Sequence, residues 1–548
     1  MRHPKSTSHS LVSGARAGLS AVVGFALLAG CAGPLRPDTG TGSAGTTGAA
    51  GTSSGGTGSG ATAGSAAGGS AGTGTAGITT GGIGGRGGAA GTGGSAIGAA
   101  GTTGAGGMAN TDGGVAGGAA GTGGVGGSGG TGGTKPPRGP TPAANGVNFP
   151  FPQNREISRC VYPVNYLNTD VMTAWTQFKT DTVVSAGNDK DGMPMRRIQR
   201  TSSDPVNMYT PAMSTVSEGI AYAMLIAVYM GTTADQSLFD DLWRYSQAHL
   251  NANGLMNWAI ASNGTMVTGM GGATDADEDI AFALLMADKQ WGGKGSLKGN
   301  YIDLAKAQIN NVWLHEIVDS KLAGPGDSWG ATDLWKNINI SYFAPAYYRI
   351  FKMVDPGHAW DAVITTSYDT ILSPNNTLDK GALKPANMNT NNGLVPAWCT
   401  STGDPSMTTP FNYQYDSCRT PFRIALDWCW FGETRAQLYL QKTSTFFSGI
   451  GAANIVDGYD LNGNRKGQFF TGTGAPTLAQ QSAAFLGPAG VGAMVSNTYQ
   501  TFVNDSYTRV ATGQLKIGGA YYDESWTALS LLMMTGNMLD YTSIQPVH

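Results

Sequence analysis

Three short stretches carry the residue types from which acid–base chemistry is made. In "GATDADEDIAFALLMADKQW", four of the five positions from Asp275 to Asp279 are acidic, in a chain of which only 13% is charged. "TVSEGIAYAM" places Glu218 beside Gly219 at the head of an apolar run, and "NYQYDSCRTPFRIALDW" places Asp416 between two tyrosines and two arginines. Each puts a carboxylate where a loop enters a helix. Such a residue can cap the helix, hold calcium or move protons. Capping accounts for much on its own: Asp275 with Glu278, and Thr215 with Glu218, have the spacing of a capping box, and Asp416 can pair with an arginine at a helix start. Calcium is excluded by the spacing, because an EF-hand loop needs Gly and Glu where Ile280 and Met286 stand. "DLNGNR" at Asp460 fails in the same way and reads as a turn. If the three stretches meet, two carboxyl groups flanking a sugar are the minimum for glycoside hydrolysis, one protonated and one ionised. Gly219 would leave room for a close approach. Trp258, Trp329, Trp335 and Tyr342 lie among Gly, Asn and Asp and offer flat faces to pyranose rings.

The elements that must position these groups are helical. "SEGIAYAMLIAVYMG" is apolar on more than one face and reads as a buried helix, whereas "ADQSLFDDLWRYSQAHL" carries one apolar stripe. Further helical runs follow as far as "ESWTALSLLMMTGNM", giving ten to twelve helices joined by long loops. Strand signals are weak and βαβ alternation is absent. The expected architecture is an all-α toroid of helical hairpins.

The front of the chain has a different composition. The 548 residues include 84 Gly, concentrated ahead of residue 145, and no aromatic residue occurs between Phe25 and Phe149. Such a segment cannot bury enough apolar surface to offset its ordering entropy, so 31–145 is expected to be a disordered linker with a root-mean-square span of roughly 60 Å. Before it, a basic region and "LSAVVGFALLAG" read as an export signal, 1–30, too short to span a bilayer as a mature helix. It ends in "LAGC", which resembles a bacterial lipobox and implies cleavage before Cys31 and lipidation of that residue; an ordinary signal peptide cut near "CAG" is the alternative. The expected location is the cell envelope, lipid-anchored at a membrane or the cell surface.

The net charge of −3 without a basic run disfavours nucleic acid and anionic membrane surfaces as partners. No Cys/His spacing suggests a metal, and no cofactor is expected. Among Cys160, Cys399, Cys418 and Cys429, pairing of Cys399 with Cys418 would close a modest loop, although spacing alone does not fix connectivity.

"VSEGIAYAM", "GLMNW", "GATDADEDIAFALLMADKQW", "GDSWG", "NISYFAPAYY", "GLVPAWC" and "YDSCRTPFR" together resemble glycoside hydrolase family 8 over about residues 149–545. The resemblance implies an (α/α)6 barrel as the catalytic domain, 146–548, acting as a monomer by an inverting endo-mechanism. It implies Glu218 as general acid, Asp416 as general base and Asp275 as the central third carboxylate, with Trp258, Trp329, Tyr342, Tyr415, Arg419 and Tyr522 contacting substrate. The expected separation of Glu218 and Asp416 is roughly 6.5–9.5 Å, room for one water. Ala223 and "CRTPFR" depart from the family's usual residues and touch fine substrate contacts. A β-1,4-glucan is the leading substrate. A xylanase, a chitosanase and a non-catalytic carbohydrate-binding lipoprotein on the same fold are the alternatives. One tension remains: a helix N-terminus stabilises the anion of Glu218, whereas a general acid needs its proton. Burial and the charge of Asp275 are expected to win.

Overall fold

Some helices of the chain are buried on every side, and others keep a wet face. The computed structural model describes residue 136 and residues 139–328, 337–373, 391–405, 412–515 and 517–548, all within one compact unit. The signal and nearly all of the linker expected from the sequence lie outside these residues. Twelve α-helices occur among them: α1 (Asn168–Thr182), α2 (Ser217–Met230), α3 (Thr233–Ala248), α4 (Thr274–Trp291), α5 (Tyr301–Glu316), α6 (Pro345–Val354), α7 (Trp360–Ile371), α8 (Thr420–Phe431), α9 (Thr434–Ile450), α10 (Ala483–Gly492), α11 (Gln500–Ala511) and α12 (Ala520–Met534).

The even-numbered helices form a closed ring. α2 packs on α4, α4 on α6, α6 on α8, α8 on α10, α10 on α12, and α12 returns to α2. Each has an odd-numbered partner outside it: α3 on α2, α5 on α4, α7 on α6, α9 on α8, α11 on α10 and α1 on α12. This is the (α/α)6 barrel. Sequence composition follows the ring. Every residue of α2, α10 and α12 is buried, and these helices carry apolar or small side chains all round. α5 buries one stripe, whereas α3, expected to carry one apolar stripe, is buried on all faces from Leu238 to Ser246.

Close packing in the ring depends on missing side chains at α10. A Cβ on Gly490 would lie 2.6 Å from Ser506 Cβ and 2.7 Å from Met534 Cε, so α11 and α12 can reach α10 only because that position is bare. The helix tolerates this interior glycine, and Pro488 beside it, because its neighbours hold it in place.

The strands are short antiparallel accessories. β1 (Val183–Asn188) pairs with β2 (Pro194–Ile198), and β6 (Ile317–Val318) pairs with β7 (Leu322–Ala323). A three-stranded patch has the order β3 (Thr215–Val216), β4 (Ala259–Ile260), β5 (Val267–Gly269). β3 runs directly into α2, and the Ser217 N–H donates to Trp258 O at 3.0 Å, which ties the start of α2 to the Trp258 loop. Asp460 does form the expected turn, its Oδ1 accepting from the Asn462 and Asn464 amides at 3.0 and 2.9 Å.

The structure fixes the cysteine pairing that spacing left open. Cys160 and Cys429 form the disulfide, across a sequence separation of 269, while Cys399 and Cys418 are buried thiols. Cys418 Sγ donates to Tyr415 O at 3.3 Å, and the backbone of Cys399 pairs with Ile338, so each belongs to a different local contact. Sequence proximity could not register that the segment before α1 returns to the end of α8.

Candidate active site

Glu218 and Asp275 are each the second residue of an inner helix, in the first turns of α2 and α4. Arg419, the residue before α8, joins them. Its Nη1 donates to Glu218 Oε1 and, at 2.7 Å, to Asp275 Oδ2. Its Nε donates to Ser341 Oγ at 3.0 Å, and its guanidinium lies over the Tyr342 ring, 5.0 Å from the centroid. Ser341 is itself held by Asn339 Oδ1 at 2.8 Å. The guanidinium is thus fixed by groups from three other inner-ring connections, and it has no acceptor with which to take a proton.

Glu218 receives two more donors. Tyr222, one turn along α2, gives its hydroxyl to Oε1 at 2.9 Å, and Tyr521 of α12 gives its hydroxyl to Oε2 at 3.1 Å. Burial pushes the Glu218 carboxyl up to about 7; Arg419 opposes this and the Asp275 charge adds to it. The expected contest at the helix terminus therefore resolves toward the protonated acid. The charge balance points the same way, since one guanidinium faces Glu218, Asp275 and Asp416. Asp416 Oδ2 accepts from Trp398 Nε1 at 3.2 Å and from Gln414 Nε2 at 3.4 Å. Its carboxyl is raised by burial, with Arg419 and the Trp398 hydrogen bond acting against the rise. Glu218 and Asp416 are 9% and 7% exposed, whereas Asp277 and Glu278 are fully buried. Access thus separates carboxyls that can meet a ligand from those that support helices.

The capping readings are corrected by these contacts. The first helical residue is Thr274, so Asp275 lies inside the turn, its Oδ1 accepting from the Ala276 amide at 2.9 Å. Asp277 does the capping instead, through Oδ2 and the Ala273 amide at 3.1 Å. Glu278 accepts from the Tyr348 hydroxyl at 2.9 Å, and Asp279 forms a two-pronged pair with Arg423 at 2.6 and 2.9 Å. Thr215 does not cap α2, because its hydroxyl donates to Ile198 O and accepts from Arg197. Asp416 has no direct pair with Arg419, whose Nη1 is committed to the other two carboxyls. The space beside Gly219 is filled by the chain itself: a Cβ there would meet Ile198 Cγ2 at 3.2 Å and the Tyr521 ring at 3.4 Å.

The remaining expected site residues fall into two groups. Trp258 is half-buried beside Tyr209, with ring centroids 5.8 Å apart, and Tyr342 is half-buried with its ring edge-on to Trp398 at 6.4 Å. Tyr415 and Tyr522 are only 2% and 1% exposed. The Tyr522 hydroxyl donates to Tyr415 O at 3.0 Å, and both rings pack in a cluster with Phe485 or Trp526. They brace the Asp416 turn from behind. Trp329 and Trp335 lie outside the described residues.

Sequence reasoning singled out Tyr522 and passed over Tyr521, Tyr222 and Trp398 as direct partners of the acids. Tyr222 was findable, since it stands four residues after Glu218 on one helix face. Trp398 approaches from a loop 18 residues away, and no local spacing signals that. Among the described residues no group of three or more His, Cys, Asp or Glu side chains is disposed to hold a metal.

Among the described residues, six inner helices backed by six outer ones gather three carboxyl groups around one arginine at the inner-helix ends, an arrangement suited to a carbohydrate hydrolase. Residues 150–536 match the family model described as "Glycosyl hydrolases family 8", and the chain belongs to that family. It is 35% identical over 398 residues to Endoglucanase 2 of Ruminiclostridium josui, covering 71% of this chain and 77% of that protein. It is 31% identical over 411 residues to Beta-glucanase of Niallia circulans, covering 72% and 92%. A solved structure of a β-1,3-1,4-glucanase from Paenibacillus sp. X4 superposes with a TM-score of 0.60 at 29% identity, covering 71% of this chain and 99% of that one. The chain is therefore a glycoside hydrolase.

Proposed function

We propose that the chain is an inverting endo-β-1,4-glucanase in which Glu218 is the general acid and Asp416 the general base. The observation that carries this reading is the unequal treatment of the two carboxyls that keep some access, Glu218 and Asp416. Glu218 is held with a proton near neutrality in a nest of donors, and Asp416 is aimed by an indole N–H from a separate loop. Glu218 gives its proton to the glycosidic oxygen as the bond to the anomeric carbon breaks. Asp416 takes a proton from the water that attacks that carbon on the opposite face. Asp275, bound to Arg419, offers a fixed negative charge to the positive charge that develops on the sugar ring. Trp258 and Tyr342 flank this centre as flat faces for neighbouring sugars. A β-1,4-glucan is supported as substrate by the relatives, two of which carry the names endoglucanase and β-glucanase.

The test is release of reducing ends from carboxymethyl cellulose, lichenan, xylan and chitosan, with Asp416→Asn beside the parent. Activity on a glucan, lost in the variant, with the α-anomer appearing first by NMR, is the expected result. Preference for xylan or chitosan would replace the substrate, initial β-anomer would replace the mechanism, and no hydrolysis would leave a binding protein.

Lipid attachment at Cys31 is part of the same reading. The sequence before Cys31 supports it, and the Gly-rich segment would then tether the barrel to the envelope. Labelled palmitate incorporated by the parent and absent from Cys31→Ser would establish the anchor; equal labelling or none would reject it.

A further inference from the structure

Behind Asp275, across the first turn of α4, two carboxyl groups meet without a cation. Asp277 and Glu316 are both fully buried. A Cβ on Gly272 would lie 2.7 Å from Asp277 Oδ2 and 3.1 Å from Glu316 Oε1, so both oxygens close over the same bare carbon. Both side chains turn a carboxyl oxygen to that same point, and neither Glu316 oxygen has a hydrogen-bond donor. The ionisable groups facing Asp277 are Glu316, Asp327 and Asp275, and those facing Glu316 are Asp277, Asp327 and Glu278. Among the described residues no ion pair reaches either carboxyl, and the neighbouring Arg423 serves Asp279 and Glu278. Two carboxylates this near each other in a buried site without a cation are not both ionised, so one of them keeps its proton.

Geometry decides which residue holds it. Asp277 is in the first turn of α4, where the helix dipole favours negative charge. Its Oδ2 accepts from the Ala273 amide and its Oδ1 from Gln308 Nε2, both at 3.1 Å. Glu316 is the last residue of α5, where the dipole opposes negative charge. Neither of its oxygens meets an N–H donor; the Thr274 hydroxyl is the one neutral group against it. Asp277 is therefore built as an acceptor and Glu316 as its donor.

We propose that Glu316 is a protonated carboxylic acid whose O–H donates to Asp277, and that this clip is the positioning element for Asp275. The contacts around it bind the residues just before Asp275 to the segment that follows α5. Asp327 Oδ1 accepts from the Gly272 amide at 2.8 Å, Pro325 O accepts from the Thr274 amide at 3.3 Å, and Asp277 holds Ala273. Asp327 Oδ2 also takes Asn251 and Asn253 at 2.5 and 2.9 Å, from the loop that leads to Trp258. The shared proton joins α4 to this framework without placing a cation near Arg419's carboxyls.

The two residues make unequal demands, and three variants read them. Glu316→Gln supplies an amide N–H to an ionised Asp277. It should keep the parent's melting temperature and hold kcat within about twofold. Asp277→Asn turns an amide toward donors, and Glu316→Leu removes the donor. Each should lower the melting temperature and reduce kcat by about tenfold with KM little changed. At pH 8 in D2O, the infrared difference between the parent and Glu316→Gln should contain a protonated-carboxyl C=O band. Reversal of the asymmetry, a Glu316→Gln as damaged as Glu316→Leu or unable to fold, or absence of that band would overturn the assignment. The effect on kcat rests on the proposed part of Asp275 in hydrolysis; the melting and infrared results do not, so failure of that reading is told apart from failure of this one.

Discussion

At the scale of residues, the site works by giving similar carboxyls different surroundings. In the proposed role Glu218 donates only while protonated, and burial lifts its carboxyl to about 7 from the ordinary 4.5. kcat/KM should therefore fall as pH rises through about 7, and Glu218→Gln should lower kcat by about 10²–10⁴ and remove that limb. The same shift has a consequence for stability. The folded state holds this proton more tightly than the unfolded chain, so the contribution is present at low pH and is lost as pH rises from about 4.5 to about 7. A pH series of melting curves for the parent and Glu218→Gln measures it; a flat difference between them would contradict the shift. Asp416 answers to a different neighbour. Trp398→Phe removes the N–H that favours its anion, so the acidic limb of the pH profile should move upward and kcat should fall by about tenfold. An unmoved acidic limb in that variant would show that another group is the base.

At the scale of elements, the ring closes because its inner helices tolerate contact on every side. α10 is the sharpest case, since two neighbours approach it where Gly490 has no side chain. Gly490→Ala places a carbon inside the contact distance of Ser506 Cβ and should destabilise the barrel by about 1–3 kcal/mol, although alanine is the better helix former in isolation. Chemical denaturation measures this, and a stabilised variant would mean that α11 can move away at little cost. Helix ends show a parallel division. The α3 start is closed by a reciprocal capping box between Thr232 and Asp235, as local rules require. The start of α2 has no side-chain cap and that of α4 is closed by Asp277, which leaves the second-position carboxyls Glu218 and Asp275 to meet Arg419. Ordinary helices spend their carboxyls on caps; these two direct one each to the site.

At the scale of the molecule, the barrel is stapled across its length. The Cys160–Cys429 disulfide joins the segment before α1 to the end of α8, closing a long loop of chain. Cys160→Ser should lower stability by about 2–5 kcal/mol while leaving the active-site residues in place. Thermal melting with an activity assay at low temperature separates these effects. The chain ends of the domain meet as well: the Ala143 amide donates to Val547 O at 2.5 Å, and Phe149 stacks on Tyr541 at 4.3 Å. A domain whose termini meet can be carried on a tether without distorting the ring.

Periodicity and residue type are local properties, so the helical class, the wrapped helix that starts at Ser217 and the three loop-to-helix carboxyls were legible in the sequence. It also marked Arg419 and placed Glu218, Asp275 and Asp416 in one family pattern. Only the tertiary structure decided what each group touches. Arg419 reaches Glu218 across 201 residues and Asp275 across 144, Trp398 comes to Asp416 from another loop, and Cys160 finds Cys429 rather than a nearer cysteine. Tyr521 and Tyr522 are adjacent and chemically alike, yet one hydroxyl meets the acid and the other a backbone carbonyl. Residues one apart on a helix point about 100° apart, and which direction faces the site is set by how α12 is rotated against α2 and α10. That rotation is fixed by packing around the whole ring, and no short stretch of sequence contains it.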